Sequence, residues 1–205
     1  MQELLEDQDV ILFGGSERYT LPNIHGAFVV RINNHHLWQE DPKRCPGGYK
    51  YTDCVYHGAG IGGLQAMFMN RPPTNLRLLC QNAGGAYRDS MRAWAKLKGI
   101  EYFAYGNLDA PRHKIGLDPA VYEDTFKPLT DVCSHPFTGV LAAFHLLQFP
   151  IKSLYLSGFS FYSGRDDTIK NGKRGEHDIE QNKQAMRNVL DDERAKPDAI
   201  LLENL

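Results

Sequence analysis

The stretch Val10-Ile11-Leu12-Phe13-Gly14-Gly15-Ser16, followed by Ala27-Phe28-Val29-Val30-Arg31-Ile32-Asn33, decides the fold class. Four apolar residues ahead of two glycines and a serine read as a short strand ending in a turn. Ala27–Ile32 reads as a second strand, closed by the polar cluster Arg31-Ile32-Asn33-Asn34.

The alternation continues downstream. Cys54–His57 reads as a third strand opening onto Gly-Ala-Gly-Ile-Gly-Gly, and Leu76–Leu79 as a fourth, followed by the turn Asn-Ala-Gly-Gly. Tyr87–Lys98 carries Met91, Trp94, Ala95 and Lys98 at helical spacing and stops at Gly99, a natural C-cap. Glu101–Ala104 reads as a strand, Pro136–Leu147 as a buried helix, and Ser153–Ser157 as a strand ending at Gly158. Glu176–Arg194 is an amphipathic helix with Ile179, Ala185, Met186, Val189 and Leu190 as its apolar stripe, and Ala199–Leu202 reads as a closing strand.

Strands alternating with helices predict one α/β domain over residues 1–205. Its expected architecture is Rossmann-like, a mostly parallel twisted sheet with helices on both faces. Ligands of such sheets gather at the carboxyl ends of the strands. The clearest strand-to-turn junctions are Phe13–Ser16 and Ser157–Ser160.

Composition excludes several classes. A chain of 205 residues, 42% hydrophobic and 23% charged, is an ordinary globular protein with one sizeable core. Its net charge of −2 gives no global basic field to attract nucleic acid or anionic membrane. Cys45, Cys54, Cys80 and Cys133 form no CxxC pair, so free thiols in a reducing compartment are expected, a Cys45–Cys54 bridge being the main exception. The acidic N-terminus lacks the apolar core of a signal peptide. The longest apolar stretch, Val140–Phe149, is about half of the roughly 20 residues a bilayer needs. A cytoplasmic protein without a membrane partner is the expectation.

Four short motifs carry candidate chemistry. Gly14, Gly15 and Ser16 let backbone N–H groups approach an anion with no Cβ in the way. Arg31 and Asn33 set guanidinium and amide groups at the sheet's edge, suited to phosphate oxygens and ribose hydroxyls. His135-Pro136-Phe137-Thr138-Gly139 opens a helix, with proline in the first turn and unpaired N–H groups available to a phosphate. Gly175-Glu176-His177-Asp178-Ile179-Glu180 opens the long helix with an imidazole able to serve as a general base. His35, His36, His57 and His113 lack partners at metal-like spacing, no HExxH is present, and no metal or cofactor is expected. His145, inside an apolar helix, reads as a satisfied core residue. Residues 38–52, 105–118 and 162–175 read as loops, the last a charged flap beside a site.

In chain order these motifs resemble the animal-type sialyltransferase family. Val10–Ser16 through Phe28–Asn33 is similar to the family's large motif, and Gly48-Tyr-Lys-Tyr-Thr-Asp53 to the short stretch after it. His135–Gly139 through Leu154-Tyr-Leu-Ser-Gly-Phe159 is similar to the small motif, and His177-Asp-Ile-Glu180 to the very small one. Gly15 stands where the family carries an asparagine. The resemblance implies a variant of the GT-A type of glycosyltransferase fold. It implies inverting, metal-independent transfer of sialic acid or a related sugar from a CMP-linked or other nucleotide-linked donor to a hydroxyl of a glycan. Gly14, Gly15, Ser16, Arg31, Asn33, Phe137, Thr138, Gly139, Gly158, Phe159 and Ser160 would then hold the nucleotide. His177 would deprotonate the acceptor, and Glu180 would anchor its helix. The basic residues Arg165, Lys170, Lys173 and Arg174 leave a second acceptor class open, a DNA nucleobase; a non-catalytic nucleotide-binding module is the third reading.

Overall fold

Seven short parallel strands form one sheet in this computed structural model, which describes residues 1–16, 24–33, 51–57, 68–73, 75–81, 85–104, 126–162, 173–174 and 177–205. They are β1 (Asp9–Phe13), β2 (Phe28–Ile32), β3 (Cys54–His57), β4 (Leu78–Gln81), β5 (Glu101–Ala104), β6 (Ser153–Ser157) and β9 (Ala195–Pro197). Their order across the sheet is β5-β4-β3-β2-β1-β6-β9. A separate antiparallel pair joins β7 (Lys173–Arg174) to β8 (His177–Asp178). The central strands are buried along nearly their whole length, which is why they read as unbroken apolar runs rather than alternating ones.

Helices cover both faces. Val10, Leu12, Val30, Ile32 and Tyr56 lie in one core with residues of α4 (Thr138–Leu146) and α5 (Ile179–Leu190). Helix α4 is apolar nearly all round, as a helix sandwiched between sheet and helix must be. Burying each of its leucines, Leu141 and Leu146, contributes about 1.5–3 kcal/mol. On the opposite face, Val55 and Leu79 pack against Met91, Trp94 and Ala95 of α2 (Gly85–Leu97). Gly99, just past α2, adopts φ +68°, as a left-handed C-cap requires. Short helices α1 (Gln2–Leu5), α3 (Lys127–Val132) and α6 (Ala199–Asn204) complete the described elements.

Several boundaries differ from expectation. Ala199–Leu202 is not the closing strand but the start of α6, because the Asp198 carboxylate accepts the Leu201 N–H and caps a helix there. The closing strand is Ala195–Pro197, just before it. The long helix begins at Ile179 rather than Glu176, since His177 and Asp178 pair with Lys173 and Arg174 and Asp178 then caps α5. Helix α4 begins at Thr138, so Pro136 precedes the helix instead of filling its first turn. Strand β4 lies two residues later than Leu76–Leu79.

Cys54, Cys80 and Cys133 are buried free thiols, so the Cys45–Cys54 bridge does not form. Burial, reinforced by the neighbouring Cys80, pushes the Cys54 thiol up. Cys45, the glycine turn after β3 and most of the basic flap lie outside the described residues. Among the described residues, no helix is long and apolar enough to cross a membrane.

Candidate functional site

The strand order reverses at β1. From β1 the chain steps outward through β2, β3, β4 and β5, then returns to lay β6 on the other side of β1. The crevice of an open α/β sheet lies at such a switch point, beyond the carboxyl ends of the strands. Gly14, Gly15 and Ser16 leave β1 there; Gly158, Phe159 and Ser160 leave β6 beside them, and Asn33 leaves β2 on the other flank. Three separated stretches of the sequence thus share one edge.

The glycine turn works differently from the simple anion cradle expected. The Gly14 N–H donates to the Ser157 carbonyl at 2.7 Å and the Ser16 N–H to the Gly158 carbonyl at 2.9 Å. A Cβ on Gly14 would lie 2.4 Å from the Gly158 carbonyl oxygen. Glycine is therefore required first by the close approach of two strand ends, and of the turn's three N–H groups it is that of Gly15 that remains for a ligand. Gly158, at φ +73°, receives its own support from below. The Asp198 carboxylate accepts the Ser157 hydroxyl at 2.9 Å and the Gly158 N–H at 3.0 Å.

Arg31 is not an exposed edge residue. It is 1% exposed, its guanidinium 4.5 Å above the Phe13 ring centroid and its Nε donating to Thr52 Oγ1. The expected edge cation is a core cation, because in a strand closed on both faces the side chain at position 31 points into the sheet's packed layer. Asn33 does stand at the edge, in a left-handed conformation (φ +49°), its N–H bonded to the Tyr56 carbonyl.

The amino end of α4 supplies the anion-binding geometry. Phe137 is its N-cap residue and gives it no side-chain cap. The first bond within the helix runs from the Leu141 N–H to the Phe137 carbonyl, so the N–H groups of Thr138, Gly139 and Val140 point out of its end. A Cβ on Gly139 would meet the Phe159 ring at 2.7 Å and Ile32 at 3.6 Å, which sets this helix end against the ends of β6 and β2. Phe159 itself is buried and packs the floor.

His177 sits on β8, across from Arg174 in register. Its Nδ1 lies 2.8 Å from the His135 carbonyl, which can only accept, so Nδ1 carries the proton and Nε2 is the acceptor nitrogen of the neutral ring. The ring rests on Phe137, centroids 4.7 Å apart, and Phe137 also meets Tyr162 at 5.2 Å. Phe161 and Tyr162 both hold positive φ, +46° and +63°, a conformation that costs a non-glycine residue roughly 1–2 kcal/mol. Such strain clusters at functional sites.

Glu180 stands apart: it is exposed and its carboxylate lies 3.7 Å from Lys183. The anchoring expected of it falls to Asn182, which is fully buried. Asn182 Oδ1 accepts the Phe137 N–H at 2.6 Å, while its Nδ2 donates to the carbonyls of His135 and Asp178. Asn182 escaped the sequence reading although a signal was present, a polar residue on the apolar stripe between Ile179 and Met186. Asp198 escaped it because Ala199–Leu202 reads as a strand, which needs no cap. Among the described residues, no three His, Cys, Asp or Glu side chains converge as a metal site would need.

No protein-family model and no curated protein matches this sequence. Solved structures do. The sialyltransferase CstII from Campylobacter jejuni, in complex with the substrate analogue cytidine-5'-monophosphate, superposes with a TM-score of 0.53 at 16% identity, over 98% of this chain and 82% of that one. The same enzyme with CMP-3FNeuAc gives 0.53 at 15% identity, over 97% and 84%. The fold is sialyltransferase-like. The likeness is to bacterial enzymes and carries the fold, not the animal-type family that the sequence motifs resemble.

Proposed function

We propose that this chain is an inverting glycosyltransferase that moves sialic acid or a related sugar from a CMP-linked or other nucleotide-linked donor to a hydroxyl acceptor. The observation that carries the reading is the junction at Phe137. On one side of it the open N–H groups of α4 face the strand ends, and on the other its ring supports an imidazole whose Nε2 is the acceptor nitrogen. The fold shared with CstII, solved with CMP and with CMP-3FNeuAc, supports the choice of nucleotide.

In this reading the donor phosphate meets the N–H groups of Thr138, Gly139 and Val140 and that of Gly15, where backbone dipoles favour negative charge. Asn33 and Ser160 flank the nucleotide. His177 Nε2 takes the proton of the acceptor hydroxyl as its oxygen bonds to the anomeric carbon. The bond from that carbon to the phosphate breaks, and CMP departs with the electron pair. The helix end bears the charge that develops on the leaving phosphate, so the reaction calls for no metal ion.

The test is direct. Calorimetry with CMP, UDP and GDP should show CMP binding, and none of the three binding at millimolar concentration would sink the reading. His177→Ala is expected to lower turnover about 10²–10⁴-fold while CMP affinity stays within about twofold. Turnover should be unchanged by a chelator. Undiminished turnover in His177→Ala would remove His177 from the mechanism, whereas CMP binding with no turnover in the wild type would favour the non-catalytic module.

One observation favours a second acceptor class. Strand β7 sets Lys173 and Arg174 opposite His177 and Asp178, beside the base. A polyanionic acceptor such as DNA would bind there with an affinity that falls steeply as salt rises, whereas a neutral glycan would be indifferent to salt.

A further inference from the structure

We propose that Asn182 is a positioning residue that fixes the tautomer of His177 and, through the same amide, the entry of α4. The inference rests on the reading of His177 as the base. The Asn182 side chain is fully buried and divides its bonds between the two halves of the site. Its oxygen holds the Phe137 N–H at 2.6 Å, which sets the angle at which α4 presents its open end. Its amide nitrogen donates to the His135 carbonyl at 3.2 Å, the same oxygen that receives His177 Nδ1–H at 2.8 Å. A second bond from that nitrogen, to the Asp178 carbonyl at 2.8 Å, ties down the residue next to His177.

A carbonyl held by one donor is presented to the next in a fixed direction. The His135 oxygen therefore selects the Nδ1–H form of His177, the form that leaves Nε2 as acceptor. Without the amide, the loop through His135 loses its anchor, and the ring returns to the tautomer mixture of histidine in water, in which Nε2–H predominates. Asparagine is suited to the place because it alone among residues of this size offers one acceptor and two donors from one planar group.

Nitrogen-15 NMR of the His177 ring reads the tautomer without any substrate. The unliganded wild type is expected to show the Nδ1–H form. Asn182→Ala and Asn182→Asp should both show predominantly Nε2–H, the second while keeping an oxygen for the Phe137 N–H and the shape of the side chain. Should Asn182→Ala fail to fold, judged by its circular dichroism and urea midpoint, Asn182→Asp decides. A wild-type ring spectrum in a folded variant overturns the proposal. The base reading fails separately, by undiminished turnover in His177→Ala, so neither result can be mistaken for the other.

Discussion

A methyl group added at Gly14 would lie 2.4 Å from the Gly158 carbonyl oxygen, a backbone atom that cannot swing aside. Gly14→Ala must therefore part β1 from β6 at the crevice, at a cost of about 1–3 kcal/mol, and should abolish CMP binding. Gly139→Ala meets the rim of the Phe159 ring instead, and the gain of about 1 kcal/mol in helix propensity offsets part of the clash. Urea midpoints should rank wild type above Gly139→Ala and Gly139→Ala above Gly14→Ala; equal midpoints for the two variants would contradict the geometry. The sequence disclosed that glycine was needed at position 14 but not why, since the obstructing carbonyl comes from a residue 144 positions later. Arg31 shows the same limit: its guanidinium marked a charge, and only the register of β2 with β1 reveals the Phe13 ring beneath it.

At the scale of elements, α6 reaches the site through one residue. Asp198 caps the helix at Leu201 and holds both Ser157 and Gly158, so a short C-terminal element steadies the turn that closes the crevice. Asp198→Ala leaves three donors without this acceptor and should cost at least about 1–3 kcal/mol, with CMP affinity falling alongside stability. Asp178→Ala, which loses only the cap on α5, should cost about 0.5–2 kcal/mol. A larger loss in the second variant than in the first would reverse this ranking. The alternation of elements was legible because the buried strands are short apolar runs punctuated by glycine. Ala199–Leu202 was misread for the same reason, since four apolar residues have no period, and the cap that decides between strand and helix lies just outside them.

Across the whole molecule, acid should act through His145. Its ring is buried among Phe103, Phe126 and Phe149, shares a 2.7 Å hydrogen bond with the Tyr56 hydroxyl, and titrates at about 3 because burial disfavours the cation. The unfolded chain takes up this proton near pH 6.5 and the folded chain only near pH 3. Stability is thus fully present above pH 6.5 and lost as pH falls, by about 1.4 kcal/mol per unit across that window. In His145→Phe the plot of unfolding free energy against pH should lose one proton's worth of slope between these values. The parallel sheet was legible from the pattern of elements, whereas the strand order was not, because the pairing of β1 with β6 joins distant segments. That order has a consequence for synthesis. As the chain leaves the ribosome, β1 can pair on one side with β2 at once, but its other edge waits for Ser153–Ser157. At about 5–20 residues per second the wait is on the order of ten seconds. Throughout it a strand that lies inside the finished sheet is an open edge, so nascent chains stopped short of β6 should be bound by chaperones and those carried past β9 released.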